Sequence, residues 1–159
     1  METWQSVLLM CYQLLEGVVL FFIPRRFRYK RIDNDTVLIT GGGSGLGRSM
    51  AIRFARHGVR KVVLWDLNES GLNESAKLVE QNGAKCWTYV VDVTDRFRVY
   101  QVAKQVLQDT ASPVTILVNN AGVVSGQKIL DLPDEKIIKT FEVNAISHFW
   151  VNMKKNWFE

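Results

Sequence analysis

From residue 36 onward, short apolar runs alternate with longer stretches whose apolar residues recur at helical spacing. Thr36-Val-Leu-Ile-Thr40 is a run of strand length, set off on its N-terminal side by the polar break Asp33-Asn34-Asp35. A glycine-rich stretch, Gly41 to Gly47, separates it from residues 48–57, where Met50, Ala51 and Phe54 share one helical side. Lys61-Val-Val-Leu-Trp65 predicts a second strand ending at Asp66, and residues 69–81 a polar amphipathic helix closed by the turn pair Asn82-Gly83. Cys86 to Val91 reads as a third strand. Residues 95–109 read as a third helix, with Val99, Val102 and Val106 facing inward. Val114 to Val118 is a fourth apolar run. Pro133 to about Asn156 reads as one long helix, in which Ile137, Phe141, Ala145 and Phe149 repeat every four residues. Four strand–helix alternations predict parallel strands joined by right-handed crossovers, an α/β fold.

The first 31 residues have a different pattern. Residues 7–23 are almost continuously apolar, broken by Gln13 and Glu16, which fall near one helical face with Gln5, Ser6 and Tyr12. As a helix these 17 residues reach about 26 Å, short of the ~30 Å hydrocarbon core of a bilayer. Lying on a membrane surface, a hairpin-like insertion and a full span all remain open, with a buried core helix as the alternative. Met1-Glu2 is not the basic start of a secretory signal, and no small-residue cleavage site comes after the apolar run. Pro24 ends the helix, and residues 25–31 then carry five basic groups and no acid. Such a cluster suits anionic lipid headgroups and keeps the remainder of the chain on the cytosolic side. Two units are therefore expected: a membrane-anchoring arm, residues 1–31, and a folded domain, residues 32–159.

Charge supports that division. Most of the net +4 resides in the arm, since residues 32–159 hold 15 basic and 14 acidic groups. A nucleic-acid-binding domain would carry its excess on a folded face, so that class is excluded. Cys11, Cys86, His57 and His148 stand apart without ligand spacing, which predicts no metal site and no disulfide framework. Sequons at Asn34, Asn68 and Asn73 would matter only in a secretory lumen and read as chance.

Between a strand and a helix, Thr40-Gly-Gly-Gly-Ser-Gly-Leu-Gly47 can turn tightly and let backbone N–H groups approach a pyrophosphate. Asp66 ends the second strand nineteen residues after Gly47. A carboxylate there accepts from adenosine ribose hydroxyls and repels a 2′-phosphate, so NAD is expected rather than NADP.

These residues resemble the short-chain dehydrogenase/reductase family. Thr40-Gly41-x-x-x-Gly45-x-Gly47 is similar to its cofactor signature, Asp92-Val-Thr-Asp95 to its adenine-contacting element and Asn119-Asn-Ala-Gly122 to its sheet-supporting motif. Asn144, within Glu142-Val-Asn-Ala145, matches the helix asparagine of its catalytic tetrad. The resemblance spans residues 36 to about 150 and implies the first four βα units of a doubly wound, Rossmann-type parallel sheet, preceded by a hydrophobic helix. It implies cofactor contacts from Thr40, Gly41, Ser44, Gly45, Leu46, Gly47, Asp66, Asp92, Val93, Asn119, Ala121 and Gly122, with Asn144 as a catalytic residue. The apolar arm with its basic stop, Val63-Leu-Trp-Asp66, Asn119 to Gly126 and His148-Phe-Trp150 further resemble the microsomal retinol dehydrogenases and lipid-droplet 17-beta-hydroxysteroid dehydrogenases. That likeness implies NAD-dependent oxidation of a lipophilic alcohol, retinoid or steroid, at the endoplasmic reticulum membrane or a lipid droplet. A homo-oligomer is an implied partner.

In this family a serine and a Tyr-x-x-x-Lys pair come after the long helix, where this sequence stops at Glu159. The chain alone is therefore expected to be inactive, and its fourth strand to form an apolar sheet edge with a risk of aggregation. Tyr100-Gln-Val-Ala-Lys104 has the right spacing but precedes the Asn119 motif, and Ser125 comes after the fourth strand rather than the fifth. Neither is expected to be catalytic. The alternative is a non-catalytic, membrane-anchored nucleotide-binding or interaction protein.

Overall fold

The computed structural model describes residues 2–22 and 31–152. Residues group into two compact units, Met1–Arg31 and Ile32–Glu159. In the first, helix α1 runs Glu2–Phe22 and exposes Trp4, Leu8, Leu14, Leu15, Phe21 and Phe22. No helix among the described residues is long and apolar enough to cross a membrane. Pro24 and the basic cluster up to Lys30 lie outside the described residues, as does the end of the long helix beyond Asn152.

The second unit is a four-stranded parallel sheet, β1 (Thr36–Thr40), β2 (Lys61–Asp66), β3 (Lys85–Val90) and β4 (Ile116–Val118), in the order β3-β2-β1-β4. Helices α2 (Gly45–Arg56), α3 (Glu69–Gln81) and α4 (Arg96–Thr110) alternate with the strands. A helical run comes after β4: α5 (Asp134–Phe141), a π-helical segment (Glu142–Ile146) and α6 (Ser147–Asn152). This is the expected Rossmann-type architecture.

The alternation of β1 explains why both sheet faces are covered. Every residue of β1 is buried. Val37 and Ile39 enter a cluster with Ala51 and Ala55 of α2 and Leu72 and Val79 of α3. Leu38 points the other way, into a cluster with Val99, Val102 and Val106 of α4 and Val151 of α6. A strand buried on both faces reads as an unbroken apolar run, as Val37-Leu38-Ile39 does. α3 and α4 start at side-chain caps: Asn68 accepts from the Gly71 N–H, and Asp95 accepts from the N–H groups of Phe97 and Arg98.

Three expectations are corrected in detail. β4 begins at Ile116 rather than Val114, because the Thr36 N–H is taken by the Thr115 hydroxyl at 3.0 Å instead of a ladder carbonyl. α2 begins at Gly45, so the end of the glycine turn is itself the first helical turn. The repeat at Ile137, Phe141, Ala145 and Phe149 marks a helix but not its buried face. Phe141 and Phe149 are exposed, whereas Val143, Ser147 and Val151 are buried. The buried residues repeat at the same spacing two positions further on, about 200° around the helix, so spacing alone marks two opposite faces and does not say which one meets the sheet. β3 and β4 are the two sheet edges among the described residues, and the three residues of β4 are half-buried.

Candidate functional site

The C-terminal ends of the four strands open on a cavity of about 440 Å³. The turn between β1 and α2 contributes Gly41, Ser44, Gly45 and Leu46, and the end of β2 contributes Trp65, Asp66 and Leu67. Val91, Asp92 and Val93 come just after β3, Asn120 to Val123 just after β4, and Lys139 and Val143 from the last helical run. A crevice outside the carboxyl ends of parallel strands is the general ligand position of such sheets.

Close approach builds the turn. A Cβ on Gly47 would stand 2.0 Å from the Gly41 carbonyl oxygen, so α2 can begin only where that side chain is missing. Gly43 is held at both ends. Its N–H donates to Asp66 Oδ2 at 2.9 Å, and its carbonyl accepts from the Arg48 guanidinium at 2.6 Å. Arg48 also donates to the Ser75 hydroxyl, the Gly71 carbonyl and Glu74, tying the turn to α3. The other Asp66 oxygen accepts from the Asn68 N–H at 2.9 Å, which fixes the plane of the carboxylate at the cavity wall. The free N–H groups of the first turn of α2 and its positive dipole end favour an anion at the turn.

Across the cavity, Asn120 joins the two loops. Its side-chain amide donates to the carbonyls of Thr40 and Gly41, while the backbone N–H groups of Asn120 and Ala121 donate to the Thr40 hydroxyl. Thr40 is thereby buried as a joint and does not line the cavity. Asn119 presents a buried Oδ1 with no partner among the described residues. Asn144, in the π segment, clasps Val123 instead of lining the cavity.

The carboxyl of Asp92 is shifted by its surroundings. Burial alone would raise its pKa, but hydrogen bonds from the Thr94 hydroxyl and N–H, together with the ammonium of Lys139, outweigh burial and hold it below the ordinary value. Lys139 lies 3.6 Å from Asp92 Oδ2 and donates to the Thr94 hydroxyl at 3.1 Å.

Thus Gly41, Ser44, Gly45, Leu46, Asp66, Asp92, Val93, Ala121 and Gly122 converge on one cavity, whereas Thr40, Gly47, Asn119 and Asn144 do not line it. Sequence reasoning missed Asn120, Arg48 and Lys139. The doubled asparagine of the 119–122 motif was a signal for the first; the other two act through contacts 27 and 45 residues away in the chain, which no local pattern displays. Tyr100 and Lys104 line a separate hollow along α4 with Phe97 and Gln101.

Known proteins share this geometry. The family model described as short chain dehydrogenase matches residues 35–154. The chain belongs to the short chain dehydrogenase family. It is 44% identical over 140 residues to 17-beta-hydroxysteroid dehydrogenase 13 of Mus musculus, an alignment covering 88% of this chain and 45% of that protein. With epidermal retinol dehydrogenase 2 of Homo sapiens it shares 43% over 140 residues, covering 87% of this chain and 44% of the relative. The chain therefore spans less than half the length of these relatives. Among solved structures it is similar to NAD+-bound xylitol dehydrogenase, with a TM-score of 0.72 and 28% identity over 77% of this chain and 46% of that one. Levodione reductase matches with a TM-score of 0.72 and 30% identity, covering 79% and 48%.

Proposed function

We propose that this chain forms the NAD-binding portion of an oxidoreductase that oxidises a lipophilic alcohol of the retinoid or steroid class. The observation that carries this reading is the Asp66 carboxylate, fixed by two backbone N–H groups beside the glycine turn. Its remaining lone pairs suit the two hydroxyls of an adenosine ribose, and its charge opposes a 2′-phosphate. The residues present fit the dinucleotide: the start of α2 for the pyrophosphate, Asp92 and Val93 for the adenine, and the Asn120–Val123 loop for the nicotinamide half. The nicotinamide supplies a hydride acceptor. Asn144 would take its place in the proton relay through the backbone at Val123.

The substrate class rests on the names of the relatives, a hydroxysteroid and a retinol dehydrogenase. The exposed apolar residues of α1 support attachment to the endoplasmic reticulum membrane or a lipid droplet, with the domain on the cytosolic side. A second reading is a membrane-anchored nucleotide-binding or interaction protein without turnover of its own. It needs only the nucleotide cavity, lined by Gly41, Asp66 and Asp92, together with the exposed apolar residues of α1.

Calorimetric titration of the full chain with NAD+ and NADP+ tests the cofactor assignment. NAD+ is expected to bind at least about tenfold more tightly, with the preference lost in Asp66→Ala, because like charges at a site discriminate strongly. Equal or tighter NADP+ binding would overturn it.

A further inference from the structure

Lys139 is the one cation lining the cavity among the described residues, where it shares the wall with the carboxylates Asp66 of β2 and Asp92 after β3. It arrives from α5, 47 residues beyond Asp92 in the chain. Its contacts have a direction. The Thr94 hydroxyl has a single hydrogen, and it goes to Asp92 Oδ1 at 2.7 Å, so toward Lys139 the same oxygen can only accept. The Thr94 N–H adds a second donor to Oδ1 at 2.9 Å. Oδ1 is thus occupied by two donors, and Oδ2 keeps the looser ion pair with Lys139 at 3.6 Å.

This arrangement sorts the two carboxylate oxygens by role. Lys139 orients the Thr94 hydroxyl, the hydroxyl locks Oδ1, and Oδ2, engaged by the looser ion pair, keeps lone pairs with which to accept from a ligand. We propose that Lys139 is a positioning residue that sets Asp92 to accept a hydrogen bond from an exocyclic amino group, so that the cavity selects adenine over a 6-oxo purine. The inference rests on the cofactor reading above and deepens it. The ion pair itself adds little stability, because 48% of the Lys139 and 38% of the Asp92 side-chain surface stays in solvent. Orientation is its contribution.

The test compares NAD+ with nicotinamide hypoxanthine dinucleotide, whose purine carries a carbonyl in place of the amino group, on the full chain. Lys139→Met is expected to weaken NAD+ roughly three- to tenfold, the size of one oriented hydrogen bond, and to leave the hypoxanthine analogue near its original affinity. In an Asp92→Asn background the same substitution is expected to change nothing further, since its effect passes through that carboxylate. The acid limb of NAD+ binding should also move to higher pH in Lys139→Met, because one of the groups depressing Asp92 has been removed. Thermal melting checks that each variant is folded. Equal weakening of both dinucleotides, additive with Asp92→Asn, would overturn the proposal and assign the lysine to the pyrophosphate; an unaltered NAD+ affinity would overturn it as well. If the unsubstituted chain binds neither dinucleotide, the cofactor reading itself fails.

Discussion

The side chain of Asn144 closes a two-bond clasp on the backbone of Val123: its Oδ1 accepts from the N–H at 2.8 Å and its Nδ2 donates to the carbonyl at 2.9 Å. At neutral pH a carboxamide offers an acceptor and a donor side by side in this way, whereas a carboxylate offers two acceptors. The clasp links the π segment to the loop after β4, which lines the cavity.

Replacing Asn144 by Ala is expected to lower stability by about 1 kcal/mol, because water can reach and partly satisfy the freed groups. Asn144→Asp makes a sharper case. Above its pKa the carboxylate still accepts from the N–H, but its second oxygen faces the Val123 carbonyl. Protonated, that oxygen can donate again. Chemical denaturation should therefore find Asn144→Asp less stable than Asn144→Ala at pH 7 and recovering toward the parent at pH 4. Parent-like stability of Asn144→Asp at pH 7 would refute the clasp.

Two glycines of the turn are required for different reasons. At Gly47 the obstacle is space, since a Cβ would lie 2.0 Å from the Gly41 oxygen. At Gly45 it is conformation, with φ at +50° and nothing within 4 Å of an added Cβ. Gly45→Ala should cost about 1–2 kcal/mol, the ordinary penalty for a left-handed residue. Gly47→Ala should cost on the order of 3 kcal/mol or more, because backbone has to move. Denaturant midpoints of the two variants check the order, and a milder effect at Gly47 would contradict the turn geometry.

The same division separates what was legible in the sequence from what was not. The glycine turn and Asp66 could be read because their chemistry is local: one strand, one turn, the next strand end. The buried valines of α4 were legible because a 3.6-residue period repeats over its fifteen residues. The face of the final helical run was not, since a π segment interrupts the period at Glu142. Asn120 bridging to Thr40, and Lys139 reaching Thr94, join residues 80 and 45 positions apart. Such contacts exist only after the strands have been ordered, which periodicity along the chain does not do.

The two cysteines should differ in reactivity by a margin that titration can measure. Cys11 is exposed on α1, whereas Cys86 on β3 is partly buried and packs against the cluster beneath α2 and α3. Burial first, and the nearby charge of Glu80 second, push the Cys86 thiol from 9.0 up to about 12. Because the thiolate is the reactive form, alkylation of Cys86 at pH 8 should run on the order of a thousandfold slower than that of an ordinary thiol until denaturant is added. The raised value also sets the sign for stability. The unfolded chain releases this proton near pH 9 and the folded chain does not, so the contribution is fully present below pH 9 and is lost as pH rises toward 12. Tyr89, raised by burial and by its hydrogen bond to Asp109, shifts in the same direction. Cys86→Ala should therefore flatten part of the alkaline fall in denaturation midpoint and leave the neutral range with the same slope. Rapid labelling of Cys86 in the folded protein, or an unaltered alkaline limb in Cys86→Ala, would show that the thiol is not held in the protonated form by its surroundings.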